Sequence, residues 1–242
     1  MRTTPSDREP LFDLPSEYDA LLRQGIRLSG EDRAFFVRGR VADLVAHLPP
    51  TFRPHRVLDF GCGLGDTSGC LADAFPQAEI VGVDSSEQAV AWAREHHGGA
   101  RVSFAVARTL ADHGPFDLCY LSGVLHHVEP KSRAAVVRAL RDVLTPQGLL
   151  ALFENNPWNV GARMVMRRIP FDRDAVPLSP RETRRLVEGV GLHPLSVRFL
   201  FYFPRPLAVL RPLEHWLARV PLGAQYWVLA ARGPEGTDVS RC

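Results

Sequence analysis

Lysine is almost missing from this chain of 242 residues: Lys131 is the only one, so nearly every cation is an arginine. Cysteine is scarce as well. Cys62, Cys70, Cys119 and Cys242 form no CxxC pair and no Cys/His ligand spacing, which argues against a zinc site and against a disulfide framework. Reduced, mostly buried thiols are expected, and no metal. No run of about 18 apolar residues occurs, which excludes a helix spanning a bilayer. The opening MRTTPSDREP lacks the apolar core of a secretory leader, so the expected location is cytoplasmic. There is no internal repeat and no low-complexity tract. Net charge is close to balance, +2, and by itself names no partner.

The distribution of charge says more than its sum. Residues 155–242 carry 13 arginines against 7 acids, whereas residues 1–154 are net acidic. An Arg-rich C-terminal third tilts the expectation towards an anionic substrate or surface. With 45% hydrophobic residues the chain can bury a full core, most simply as one domain.

Apolar spacing predicts helices over residues 16–28 and 31–48, the second with Ser29 as its N-cap and ended by Pro49, Pro50 and Pro54. Residues 1–50 read as an N-terminal helical cap on a domain spanning 51–242. Beyond residue 50, strands and helices alternate. Strands are expected at 56–60, 79–84, 101–107, 116–122, 149–154, 195–203 and 224–232. Helices are expected at 66–74, 87–96, 131–144 and from Ser179, where SPRE supplies an N-cap serine, a first-turn proline and an acid. TPQG (145–148) reads as a turn. The fold class that follows is α/β: a Rossmann-like, doubly wound, mostly parallel seven-stranded sheet with an antiparallel last strand. Residues 157–178 and 204–222 interrupt the alternation and read as a helical substrate cover.

The stretch VLDFGCGLGD (57–66) sets glycines at Gly61, Gly63 and Gly65, between a buried strand and a helix start. A helix N-terminus at such a loop favours a polar or anionic group. The dinucleotide pattern G-x-G-x-x-G fails here, because its third glycine falls on Asp66. Asp59 and Asp66 would repel a phosphate and attract a cofactor carrying an ammonium or sulfonium centre. Asp84 ends the second strand, 23 residues beyond Gly61, where a carboxylate can accept from a ribose diol. Nicotinamide and adenosyl cofactors both offer that ribose.

VLDFGCGLGDTS, IVGVDSS, FDLCYLSGVLHHV and LTPQGLLALFE together resemble the successive motifs of class I S-adenosylmethionine-dependent methyltransferases, over about residues 34–200. The resemblance implies S-adenosyl-L-methionine as cofactor and S-adenosyl-L-homocysteine as product. By it, Asp59 and the loop Gly61–Cys62–Gly63–Gly65 hold the methionine part, Asp84 takes the ribose and Ser85 lies near the adenine. Leu121, Ser122 and Gly123 meet the methionyl end. Where the family often carries a polar residue for the adenine amino group, this chain has Ala107 and Arg108, which implies a backbone contact there.

Methyl transfer needs alignment of the acceptor and removal of its proton. Candidate catalytic residues at the carboxyl ends of the strands are His127, His126 and Glu154. Asn155, Trp158 and Phe36 are candidates for touching substrate. The two cover segments combine apolar residues with arginine borders, which suits a small apolar acceptor such as an aromatic, prenylated, quinone-like or natural-product molecule. Nucleic acid is not expected, since no continuous basic stripe exists. Three alternatives stay open: a donor-binding enzyme that performs a non-methylating reaction, a protein that binds membrane surfaces through residues 204–222, and either a monomer or a homodimer.

Overall fold

The computed structural model describes residue 21 and residues 24–107, 110, 112–173 and 175–233. Most of the expected N-terminal helix at 16–28 lies outside the described residues, as does Arg108.

Seven strands form one sheet: β1 Arg56–Phe60, β2 Glu79–Asp84, β3 Val102–Val106, β4 Phe116–Ser122, β5 Leu144–Asn155, β6 Leu192–Leu200 and β7 Gln225–Arg232. Their order is β3-β2-β1-β4-β5-β7-β6. Pairing is parallel from β3 to β5, and β7 runs antiparallel between β5 and β6. The switch of direction around β1 and β4 places a crevice beyond their carboxyl ends, where open α/β sheets bind ligands.

Both sheet faces are buried, which explains the continuous apolar runs in the central strands. On one face Leu58, Cys119, Leu121, Leu150 and Leu152 pack against Val137, Leu140 and Val187. On the other, Val57, Ile80, Leu118, Tyr120, Phe153 and Trp227 pack against Val41, Leu44 and Leu71. The helices are α1 Arg33–His47, α2 Asp66–Ala74, α3 Glu87–His97, α4 Arg133–Asp142, α5 Val160–Arg168, α6 Pro180–Gly189 and a single turn, α7 Glu214–Leu217. Helix α1 shares the second core, and its Asp43 accepts from Trp227 Nε1 at 2.8 Å and pairs with Arg198 at 3.2 Å. Those bonds fix α1 across β6 and β7, so that its first turns overhang the crevice.

Several boundaries differ from the sequence reading, most by one or two residues, and four of the differences have a local reason. Asp32, not Ser29, caps α1, accepting from the Phe35 N–H at 2.7 Å. Ser29 instead closes a short 3-10 turn by donating to the Ile26 carbonyl. Residues 145–148 belong to β5, whose pairing with β4 is irregular between Phe116 and Leu118. A 3-10 turn at Pro130–Ser132 precedes α4. Strand β6 starts three residues early, at Leu192, with a register shift between Pro194 and Ser196 that accommodates the proline. The capping box at Ser179 and Glu182 is present as expected.

Candidate active site

The β1–α2 loop turns through three left-handed glycines, Gly61 (φ 72°), Gly63 (φ 52°) and Gly65 (φ 89°). Only glycine adopts this region without strain. The loop is bonded down from below: the N–H groups of Gly61 and Cys62 donate to the Val83 carbonyl, and the Gly63 N–H donates to Asp84 Oδ2 at 2.9 Å. A Cβ at Gly61 would come 2.4 Å from Val124 Cγ2, whereas at Gly63 it would meet nothing within 4 Å. The loop is thus packed at one glycine and open at the next.

Asp59 is 2% exposed and accepts from Ser68 Oγ at 2.6 Å. Burial raises its pKa to about 7, against the pull of the Ser68 hydroxyl. Asp66 forms an ion pair with Arg33 at 2.8 Å. These facts revise the expectation that the two carboxylates repel a phosphate. Burial biases the first towards its protonated form, and the second is paired with a guanidinium. Cys62 is buried, and burial pushes its thiol pKa up, so it is an uncharged packing group.

Beyond the loop lies a cavity of about 590 Å³. Gly61, Cys62, Gly63, Ser122 and Gly123 form its floor. Phe36, Phe201, Met164 and Ile169 form an apolar wall, and His126, His127, Glu154 and Asn155 stand between the two. Asp59, Gly65, Asp84, Ser85, Ala107 and Leu121 do not line it: Leu121 is fully buried, and Gly65 caps α2. Nor does Trp158, which is 44% exposed.

The polar cluster has an internal order. Glu154 accepts from the Leu125 N–H at 2.8 Å and from His126 Nδ1 at 2.6 Å. Asp172 stands 3.6 Å from His126 Nε2 and 3.2 Å from His127 Nε2. Burial alone would lower the pKa of His126, but Glu154 and Asp172 outweigh it and raise the value to about 10. Asp172 is held below the usual carboxylate range because its histidine bonds overcome burial. At neutral pH, His126 is an imidazolium clamped between two carboxylates and has no lone pair with which to accept a proton. His127 is 28% exposed at its side chain and reaches the cavity.

Several cavity residues had no signal in the sequence. Asp172 is one of two acids, with Asp174, in the first cover segment. Its place is set by the Val176 N–H donating to the His126 carbonyl and by Arg133, which donates to the carbonyls of Leu125, Val128 and Val176. Phe201 adopts φ 61°, and its ring packs 4.9 Å from Phe36 and 5.7 Å from Phe35. Arg40 donates to Gln225 Oε1 at 3.1 Å, while its Nε is buried without a partner.

Comparison with known proteins agrees with this arrangement. Residues 57–148 match the family described as methyltransferase domain. Trans-aconitate 2-methyltransferase of Streptomyces avermitilis is 33% identical over 135 residues, which is 53% of this chain and 49% of that protein. The chain therefore spans about half the length of the curated relatives it matches. A SAM-dependent methyltransferase from Archaeoglobus fulgidus superposes with a TM-score of 0.66 at 18% identity, covering 88% of this chain and 99% of the other. Human N-acetylserotonin methyltransferase, solved in complex with SAM, superposes with a TM-score of 0.65 at 14% identity, covering 95% and 60%. These likenesses establish the Rossmann-like methyltransferase fold.

Proposed function

We propose that the chain, whose residues 57–148 match the methyltransferase-domain family, transfers a methyl group from S-adenosylmethionine to a small, largely apolar acceptor. The observation that carries this reading is one cavity lined both by Gly61 and Gly63 of the glycine loop and by the apolar side chains of Phe36, Phe201, Met164 and Ile169. Donor and acceptor would share that space, as an in-line displacement requires.

The residues present fit the donor. Gly63 leaves room for it, Asp84 ends β2 where a ribose diol would bind, and the unpartnered Arg40 Nε offers a donor to a carboxylate. When bound, S-adenosylmethionine supplies the methyl on a sulfonium leaving group. The protein's own work is then alignment and proton removal. His127 is the residue suited to take the proton, with Asp172 orienting its ring, while His126 and Glu154 form the buried support beneath it.

The name of the trans-aconitate relatives raises a polycarboxylate as acceptor. The cavity gives that class little support. Arg33 is engaged with Asp66 and Arg211 with Glu31, so no cluster of uncompensated guanidiniums lines it among the described residues. An aromatic or prenylated acceptor carrying a hydroxyl suits the wall better. The test is calorimetry for S-adenosylmethionine, followed by turnover assays that detect S-adenosylhomocysteine with phenolic, quinol and tricarboxylate acceptors. Binding with product formed on the phenolic set supports the reading. Donor binding with turnover on the tricarboxylate alone replaces the acceptor class, and absence of donor binding overturns the whole.

A further inference from the structure

We propose that the outer face of the two cover segments docks on an anionic lipid surface, with the cavity mouth turned towards the lipid. Of the 13 large hydrophobic residues that stand exposed among the described residues, 10 lie in residues 157–178 and 204–222. The most exposed are Val209 at 84%, Trp216 at 77%, and Val160 and Leu222, both at 61%. The 3-10 segment Arg205–Leu213 buries none of its residues, so its apolar side chains do not serve the core. A cover that merely closed the cavity would turn apolar groups inward and polar ones outward. This one turns apolar groups outward as well.

The two segments share a border. Asn159 Nδ2 donates to the Leu222 carbonyl at 2.7 Å, and Asn156 Nδ2 donates to the carbonyls of Pro221 and Gly223. Met164 lines the cavity and is 46% exposed, so the apolar patch reaches the rim.

Charge selects the occupant. Arg163, Arg167, Arg168, Arg205 and Arg219 are exposed around the patch. The acids among the described residues of these segments point elsewhere. Asp172 is buried against the histidines, and Glu214 accepts the N–H groups of Tyr202 and Phe203. Two copies meeting face to face across a twofold axis would set arginine against arginine. An anionic bilayer answers both the apolar patch and its cationic rim, the pattern of interfacial amphipathic segments. Where the cavity acts as the acceptor site, which rests on the function proposed above, an acceptor dissolved in the lipid would enter past Met164.

Vesicle co-sedimentation of the full chain tests this, comparing phosphatidylcholine alone with vesicles holding about one third phosphatidylglycerol. The expected result is at least tenfold tighter binding to the anionic vesicles, with a blue shift of tryptophan emission. Val209→Asp with Trp216→Asp should weaken it at least tenfold, and Arg163→Gln with Arg167→Gln should remove the preference for anionic lipid. Calorimetry with S-adenosylmethionine serves as the fold check. Vesicle binding in a chain that takes no donor would sink the methyltransferase reading and leave this one standing. Absence of sedimentation, or sedimentation untouched by both double variants, overturns the proposal. So does a dimer in light scattering that the aspartate pair dissolves while vesicles bind neither form.

Discussion

The glycine-loop side and the apolar side of the cavity, the proposed donor and acceptor sides, are built on opposite plans. The donor side consists of strand ends and a glycine loop whose N–H groups are bonded to the neighbouring strand, and α2 leaves directly from it. The acceptor side is assembled from α1, the two cover segments and the residues after β6, so that the helices α1 and α5 are combined with short 3-10 pieces and a single turn. Position on the donor side follows from local chain geometry. On the acceptor side it follows from contacts between segments far apart in the chain, as when Asp172 meets His127. The join between the two plans is the buried cluster of Glu154, His126 and Asp172.

Breaking that join should produce the largest effect. Glu154→Gln keeps an acceptor for the Leu125 N–H but leaves the His126 imidazolium with only Asp172, and removing one partner of a buried pair costs roughly 3–5 kcal/mol. Chemical denaturation at pH 7 reads this directly. The sign of the pH dependence follows from the raised pKa of His126. Its contribution is fully present below its ordinary value of 6.5 and is lost as pH rises through about 10. The wild-type protein should therefore lose stability between those limits, and the Glu154→Gln variant should lose less. A flat profile in both would show that His126 is neutral and the join is not ionic.

His127 tests the acceptor side alone. His127→Asn should lower kcat by 100-fold or more, at the low end of general-base effects, while leaving donor affinity unchanged. Retention of full turnover would move the proton acceptor to solvent or to the substrate itself.

The contrast between the two plans also explains what could be read before the fold was seen. Strands β1, β2 and β4 and helix α2 have the bounds their residues imply, because an apolar run, a glycine loop and an acidic strand end are all local signals. The glycines at 61, 63 and 65 marked the loop between strand and helix, and all three adopt left-handed backbone there. Asp172 and Phe201 carried no such signal. Asp172 is one acid among arginines in an irregular segment. Phe201 follows a strand whose start was misplaced by three residues because Pro194 hides the alternation. The charge argument built on Asp59 and Asp66 could not include Arg33, which pairs with Asp66 from another element.

On the donor side, Asp84 carries a smaller prediction. Its Oδ2 accepts from the Gly63 N–H and its Oδ1 from the Ser86 N–H, so it shapes the loop in addition to its proposed contact with the ribose. Asp84→Ala should weaken S-adenosylmethionine binding at least tenfold, about 1.4 kcal/mol. Asp84→Asn retains one acceptor oxygen and should fall between the two. Equal affinities by calorimetry would show that the ribose is held elsewhere.

Phe36 gives the smallest and most discriminating effect. Its ring sits half-buried at 4.9 Å from Phe201 on the cavity wall, away from the glycine floor. Truncation to alanine removes its aromatic contacts with Phe201 and Phe35, each worth about 0.5–1.5 kcal/mol beyond area. The acceptor KM should therefore rise severalfold, with kcat and donor affinity little changed. Phe36→Leu, which restores apolar bulk without the aromatic edge, should recover part of the loss. A fall in donor affinity instead would mean that α1 belongs to the donor side, and the line drawn between the two plans would have to move from the cavity's midpoint to its far wall.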